Sequence, residues 1–304
     1  MRKTWVVCLL AMVCCALWGS AFPCIKVGYR LFQIDSADTA AQILFAGCRF
    51  TIAGIMVILF GSILQGRFLK PGKGDFPRIG KICLLQTVIQ YFFFYVGLAN
   101  TTGVKASIIE GVNVFVAVLV ASLLFQQEKL TGKKIVGCLI GFAGVVIVNL
   151  GGSMDMGFRL TGEGFIFLST VAYAFSSVFL KRSSKDENPV LLSGYQFITG
   201  GIIMCVIGLL MGGKVHGFAA ASTGMLVYLA VVSAVAYSLW GILLKYNPVS
   251  KVAVFGFMNP VFGVILSALL LGEGAQAAGV KSLIALLLVS IGIYVVNKKE
   301  GDSV

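Results

Sequence analysis

The chain is a near-continuous succession of apolar segments, each about as long as a membrane is thick. A helical span needs about 20 predominantly apolar residues, and the runs 82–104, 135–154, 188–213, 217–244 and 252–272 carry no charged side chain at all. Few folds tolerate this pattern. In lipid every backbone amide and carbonyl must be bonded internally, which leaves helices and closed barrels. Runs of this length fit helices, because a barrel strand crosses in about half as many residues. Composition agrees: 58% of the 304 residues are hydrophobic and 12% are charged, against about 25% charged in a soluble domain. A water-soluble globular fold is excluded.

The pattern predicts an all-α membrane protein of ten spanning helices, at 4–25, 39–62, 80–99, 104–126, 133–152, 162–181, 190–211, 222–244, 252–271 and 278–297. The stretches between them are short and leave no room for a soluble domain. Orientation follows from Lys and Arg in short loops, which collect on the cytoplasmic side. With a cytoplasmic N-terminus, seventeen Lys and Arg fall inside and six outside, the latter being Lys26, Arg30, Lys105, Arg159, Lys214 and Lys281. Both termini are thus expected in the cytoplasm of a plasma or inner membrane. The net charge of +12 reads as this topology signal. A nucleic-acid partner is not expected, because no domain could present the basic surface. Arg2-Lys3 before an apolar run has the look of a signal peptide, but the first span has a counterpart later in the chain, so it is read as a retained helix.

That counterpart is part of an internal repeat. Leu44-Phe45-Ala46-Gly47-Cys48-Arg49-Phe50-Thr51-Ile52-Ala53-Gly54-Ile55 returns as Leu191-Leu192-Ser193-Gly194-Tyr195-Gln196-Phe197-Ile198-Thr199-Gly200-Gly201-Ile202. Lys105-x7-Asn113 returns as Lys251-x7-Asn259, each span running on to an acid, Glu128 and Glu273. Gly144-Val145-Val146-Ile147-Val148-Asn149 returns as Gly292-Ile293-Tyr294-Val295-Val296-Asn297. The matches fall in the same order, so the chain divides into five-helix halves at 1–152 and 153–304. An odd number of spans per half inverts the second half against the first, an arrangement common in secondary transporters, with the substrate site between the halves.

Trp18-Gly19-Ser20 in the first span, Gly47-x-Arg49-Phe50 in the second, and the small-residue-rich spans ending in Glu128 and Glu273 resemble the EamA type of the drug/metabolite transporter superfamily. The resemblance extends over the whole chain. It implies ten spans in two halves and transport of small metabolites, often export of amino acids or related compounds. Arg49 is common in that pattern, so its presence says little about the particular substrate.

Glu110 is the sharpest position. It lies about 5–10 Å into the fourth span at 1.5 Å per residue, and an ionisable group inside a span is by default a functional-site hypothesis. It is the proton-coupling candidate. The competing reading pairs it with a cation or opens it to water at the outer mouth. Asn113 and Ala117 follow at i+3 and i+7 on the same face. Arg49 is the cation deep in a span. It suits a substrate carboxylate, or it locks helices by bonding backbone carbonyls or Glu110, and the structural use is favoured. Its repeat partner, Gln196, is neutral.

Gln86 and Gln90 share a face of the third span, as do Tyr91 and Tyr95. Amides in lipid need partners, so they either line the cavity or join helices. Trp18, Tyr173, Tyr237 and Trp240 are cavity candidates whose competing place is the interfacial aromatic belt, where Trp5 and Tyr29 are expected. Asn259-Pro260 is expected to interrupt the ninth span, with Asn259 facing the substrate path, while Pro23 reads as ordinary termination of the first helix. Gly137-x3-Gly141 and Gly208-x3-Gly212 are close-packing patterns, able to serve a homodimer but favoured within the monomer. The eight cysteines show no CxxC pairing and His216 is the sole histidine, so no metal, disulfide framework, cofactor or catalytic triad is expected. No nucleophile and base share a depth, and an enzyme is not expected. The leading reading is a metabolite exporter working by alternating access. Its rivals are proton-coupled efflux of lipophilic cations and a non-transporting membrane receptor or scaffold.

Overall fold

A computed structural model describes residues 4–126, 130–149, 158–183, 187–247, 252 and 254–297. Glu128, Lys251, the 152/153 boundary and the chain termini lie outside the described residues. Among those described there is no strand. The chain begins with α1 (Thr4–Leu31) and α2 (Thr39–Gln65). Next, α3 (Asp75–Ile82) continues through a π-helical stretch, Cys83–Ile89, into α4 (Gln90–Ala99). The following span is broken into α5 (Gly103–Glu110), α6 (Asn113–Leu119) and a π stretch, Val120–Leu124. Then come α7 (Gly132–Asn149), a π turn at Leu160–Gly164 opening α8 (Phe165–Ser183), α9 (Pro189–Leu210) and α10 (Ala220–Tyr246). A 3-10 turn, Val254–Phe257, leads into α11 (Met258–Leu271), short α12 (Gly274–Ala277) and α13 (Val280–Asn297).

Local chemistry sets these boundaries. Asp38 accepts from the Ala41 amide at the start of α2, Thr102 from Lys105 at the start of α5, and Asn188 from Val190 at the start of α9, where Pro189 takes the first helical position. Gly66 ends α2 at φ 63°, a left-handed cap that a side chain would strain. Among the described residues, six stretches are long and apolar enough to cross a membrane: Trp5–Leu31, Thr39–Gln65, Asp75–Ala99, Gly103–Leu124, Pro189–Leu210 and Ala220–Leu243. Met258–Leu271 and Val280–Val296 are shorter apolar helices.

Lipid offers no hydrophobic drive for helices to associate, so they associate through close backbone approach and internal hydrogen bonds. α2 lies along α9 with no room for side chains at the crossing. A methyl group on Gly47 would sit 2.5 Å from the Cys205 amide, and one on Gly201 2.4 Å from the Thr51 amide. α7 pairs with α13 in the same way, Gly137 against Gly292 and Val296. Gly208 meets Ala40 and Leu44, and Gly141 meets Phe115. Gly137, Gly141 and Gly208 are therefore packed within the monomer, whereas Gly212, the other half of the Gly208-x3-Gly212 pattern, faces open space.

The remaining pairings come in matched sets. α1 packs on α10 and α11, and α8 packs on α4 and α6. α2 packs on α10, and α9 packs on the Cys83–Ile89 stretch. α5 packs on α11. One aromatic-rich core joins α1, α2, α4, α9 and α10, and a second, aliphatic core joins α5, α6, α7, α11 and α13.

Four expectations need correction. Pro23 does not end α1, which runs on to Leu31. Proline removes one backbone bond, and in a bundle neighbouring groups can compensate. Lys26 and Arg30 are consequently helical residues and not loop residues. Tyr29 is buried, its hydroxyl donating to the Tyr95 carbonyl at 3.0 Å, whereas Trp5 stays 66% exposed. Lastly, α11 accommodates Pro260 in its first turn, where a missing amide costs little. The irregular backbone lies just before it, at Val254–Phe257.

Candidate functional site

Arg49 sits at the inner face of α2, where Phe45, Phe50 and Ala53 also turn into the core. Its Nε donates to the Leu229 carbonyl at 3.0 Å, one terminal nitrogen to the Tyr95 hydroxyl at 2.8 Å, and the other to Ser233 Oγ at 2.9 Å. The guanidinium also lies 5.1 Å from the Phe50 ring centroid. A planar fork with separated donors can hold α2, α4 and α10 at once, which an ammonium cannot. Its bonds to acceptors on α4 and α10 fit the helix-locking role favoured from sequence, although the backbone acceptor belongs to Leu229 and Glu110 is not among its partners.

Phe50, against the guanidinium, opens onto a group of aromatic rings. The Tyr91 and Tyr237 hydroxyls are 2.9 Å apart. Trp18 meets Tyr237 edge-on at 5.5 Å and Trp240 at 5.1 Å, and Phe197 meets Tyr237 at 5.0 Å. Tyr91 stacks near Phe50 at 4.1 Å. Trp18, Tyr91 and Trp240, on three different helices, are thus linked: Tyr237 meets Trp18 and Tyr91, and Trp18 meets Trp240. The Trp18 indole nitrogen is buried without a hydrogen-bond partner.

Glu110 closes α5 and is 7% exposed. It accepts from Asn113 Nδ2 at 3.5 Å and from Ser169 Oγ at 3.3 Å. Both bonds are long and both donors neutral. The helix breaks directly after it, at Gly111-Val112. Its partner Ser169 lies on α8, which packs on α4, the helix that carries Tyr91.

The two glutamines do not act as a pair. The Gln196 side-chain amide donates to Gln86 Oε1 at 2.8 Å, joining α9 to the π stretch. The wider π turn also takes Gln86 and Gln90 out of simple helical register. Gln90 Oε1 and Asn259 Oδ1 are buried without hydrogen-bond partners. Gln86 therefore joins two helices, while Gln90 and Asn259 keep unmet acceptors.

A second polar group was not legible as a unit. Lys105 forms a buried ion pair with Glu163 at 3.2 Å, the side chains being 7% and 4% exposed. Thr101 Oγ1 donates to the same carboxylate at 2.7 Å, and the Arg159 amide at 2.8 Å. Lys26 donates to the Leu98 and Thr101 carbonyls. Glu273 accepts from the Gly103 and Val104 amides at 3.1 and 2.9 Å, capping α5 from the other half of the chain. Lys105 is in the first turn of α5, at the start of the fourth span. The missed signal was the pairing of a lone cation and a lone acid at the starts of spans four and six. Among the described residues no cluster of metal-ligating side chains occurs.

Over residues 5–150, and again over 160–298, the chain matches the EamA-like transporter family. It belongs to that family. The EamA match agrees with the resemblance carried by Trp18-Gly19-Ser20 and Gly47-x-Arg49-Phe50. The chain is similar to an uncharacterized transporter of Archaeoglobus fulgidus, 27% identical, with 98% of this chain and 100% of that protein covered. It is also similar to the uncharacterized inner membrane transporter YedA of Escherichia coli, 24% identical over 93% and 90% of the respective chains. A solved crystal structure shares the fold at a TM-score of 0.65, with 18% identity and 96% of each chain covered. The protein is a multi-pass membrane transporter, not an enzyme.

Proposed function

We propose that this EamA transporter exports amino acids or related small metabolites across the plasma membrane by alternating access between two inverted five-helix halves, 1–152 and 153–304. Both termini face the cytoplasm, by the distribution of Lys and Arg. The halves rock about a path lined by Trp18, Gln90, Tyr91, Asn113, Tyr173, Trp240 and Asn259, with Gln86 bracing its wall. Glu110 couples the movement to protons, and Arg49 holds the helices around it.

The observation carrying this reading is the position of Glu110. A buried carboxylate between two neutral donors ends one half of a broken helix. Discontinuous helices near the membrane midplane are where secondary transporters place their sites. The matched pairings of α1 with α10 and α11, and of α8 with α4 and α6, support the inverted relation. Irregular backbone before Asn113 and before Asn259 supports it again, at positions the repeat equates.

The test is counterflow in proteoliposomes with a panel of labelled amino acids and small metabolites. Accumulation of one class supports the reading, and flat traces from folded protein across the panel sink it. Glu110→Gln separates out the coupling role: transport driven by a pH gradient should be lost while exchange persists. Unchanged rate and pH dependence would remove Glu110 from coupling.

A further inference from the structure

The helices that meet at the expected outer end fall into two tight groups. In one, α1, α5 and α11 join through small residues. A methyl group on Gly19 would sit 2.8 Å from the Gly263 amide, one on Gly103 would sit 2.5 Å from Ser267 Oγ, and Gly263 lies against Ser107. In the other, α4 joins α8 and the π turn that opens it. A methyl on Gly97 would sit 2.9 Å from the Ile166 amide, and one on Gly162 2.8 Å from the Asn100 carbonyl. Contacts this close leave little freedom to part.

Between the groups the contacts are of another kind. Lys26 on α1 donates to the Leu98 carbonyl at 3.1 Å and to the Thr101 carbonyl, where α4 ends and its last carbonyls lack helical partners. Lys105 on α5 pairs with Glu163 at the start of α8. Both cations stand on one side, and these acceptors stand on the other or in the turn leaving it. One helical turn deeper, about 6 Å, Phe22 on α1 meets Phe94 on α4 at 5.6 Å between ring centroids, both rings buried. One turn deeper again on α1 is Trp18. The candidate path residues divide along the same line, Trp18 and Asn259 on the first side, Gln90, Tyr91 and Tyr173 on the second. The other end of the third span differs. There the Arg78–Glu187 pair has side chains 37% and 30% exposed, against 7% and 4% for Lys105 and Glu163.

We propose that Lys26 and Lys105 form a two-point clasp on the outer gate of the path, with Phe22 and Phe94 as the plug beneath it, and that the path opens outward when the two helix groups part along this seam. The inference rests on the alternating-access reading and on the orientation given above. Each group draws on both halves of the chain, so the gate is a local parting of their outer ends within the larger movement. A seam of this chemistry opens reversibly. The attraction within a buried ion pair is largely offset by what both ions lose on leaving water, so water entering the parted seam returns what closure took. Carbonyls at a helix end are likewise satisfied by water once the ammonium withdraws. The small-residue contacts inside each group offer water no such exchange, and they stay shut.

An impermeant thiol reagent applied to intact cells reads the seam without any cargo. In a cysteine-free full chain carrying Phe94→Cys, labelling should be at least about tenfold slower than at His216→Cys, in the loop between α9 and α10. Adding Lys26→Met or Glu163→Gln should speed labelling of Phe94→Cys at least about tenfold, because each removes hydrogen bonds made by a charged group. If Glu163→Gln does not fold, Lys26→Met alone decides. Bridging Phe22→Cys to Phe94→Cys with a short, cleavable bifunctional thiol reagent should stop counterflow of a labelled amino-acid mixture in proteoliposomes, and cleaving the bridge should restore it. Fast labelling with the clasp intact, clasp variants that label no faster, or counterflow that persists across the bridge would each overturn the gate. Acceleration seen only with the reagent on the cytoplasmic face would overturn its outer placement. Clasp variants that label faster in a chain showing no counterflow before bridging would keep the gate and remove the amino-acid carrier.

Discussion

At the scale of single residues, burial without a matching partner separates structural charges from working ones. Arg49 is fully partnered, so replacing it should cost stability first. Arg49→Lys keeps the charge but can reach only some of the three acceptors on α4 and α10. Losing bonds of this charged kind should destabilise the protein by about 2–3 kcal/mol, measured as a lower midpoint in thermal unfolding in detergent. An unchanged midpoint would make Arg49 a ligand-binding group after all. Glu163→Gln leaves the Lys105 ammonium buried without its counter-charge, a loss of about 3–5 kcal/mol, and the neutral pair Lys105→Met with Glu163→Gln should recover part of it. Glu110 and Arg49 were legible in the sequence because each is one charge inside an apolar run. The Lys105–Glu163 pair was not, because each lies near a predicted span edge, where a charge reads as loop. Contact between them depends on how α5 meets α8, which no local pattern records.

At the scale of elements, hydrophobic length gave the helices and little about their interiors. The long apolar runs became helices where expected, yet α1 outlasted Pro23, and the third and fourth spans contain π stretches. Such departures come from tertiary partners that satisfy loosened backbone groups, and composition cannot report them. At the α2–α9 crossing the packing pattern pointed to Gly208-x3-Gly212, while the tightest backbone approaches fall at Gly47 and Gly201. Gly201→Ala places a methyl 2.4 Å from the Thr51 amide and 2.8 Å from the Gly47 carbonyl, and neither backbone can yield alone. It should cost about 1–3 kcal/mol. Gly224→Ala, also within a helix but facing open space, should be neutral or stabilising by about 0.5–1 kcal/mol. Equal effects at the two positions, read by the same unfolding assay, would refute backbone packing as the bond between α2 and α9.

At the scale of the whole molecule, the helix pairings come in matched sets that support the proposed inverted repeat, and charge asymmetry underlies the proposed orientation. In a cysteine-free background, His216→Cys should react with an impermeant thiol reagent on intact cells. Lys73→Cys should react only after the membrane is opened. The reverse result would invert the proposed orientation without touching the fold. The cap on α5 adds a consequence in time. Its amides wait for Glu273, 170 residues further along the chain. At about 5–20 residues per second of synthesis, that delay is roughly 10–30 s. Through that interval Thr102 alone caps the start of α5, and the Gly103 and Val104 amides lack the carboxylate that meets them in the finished fold.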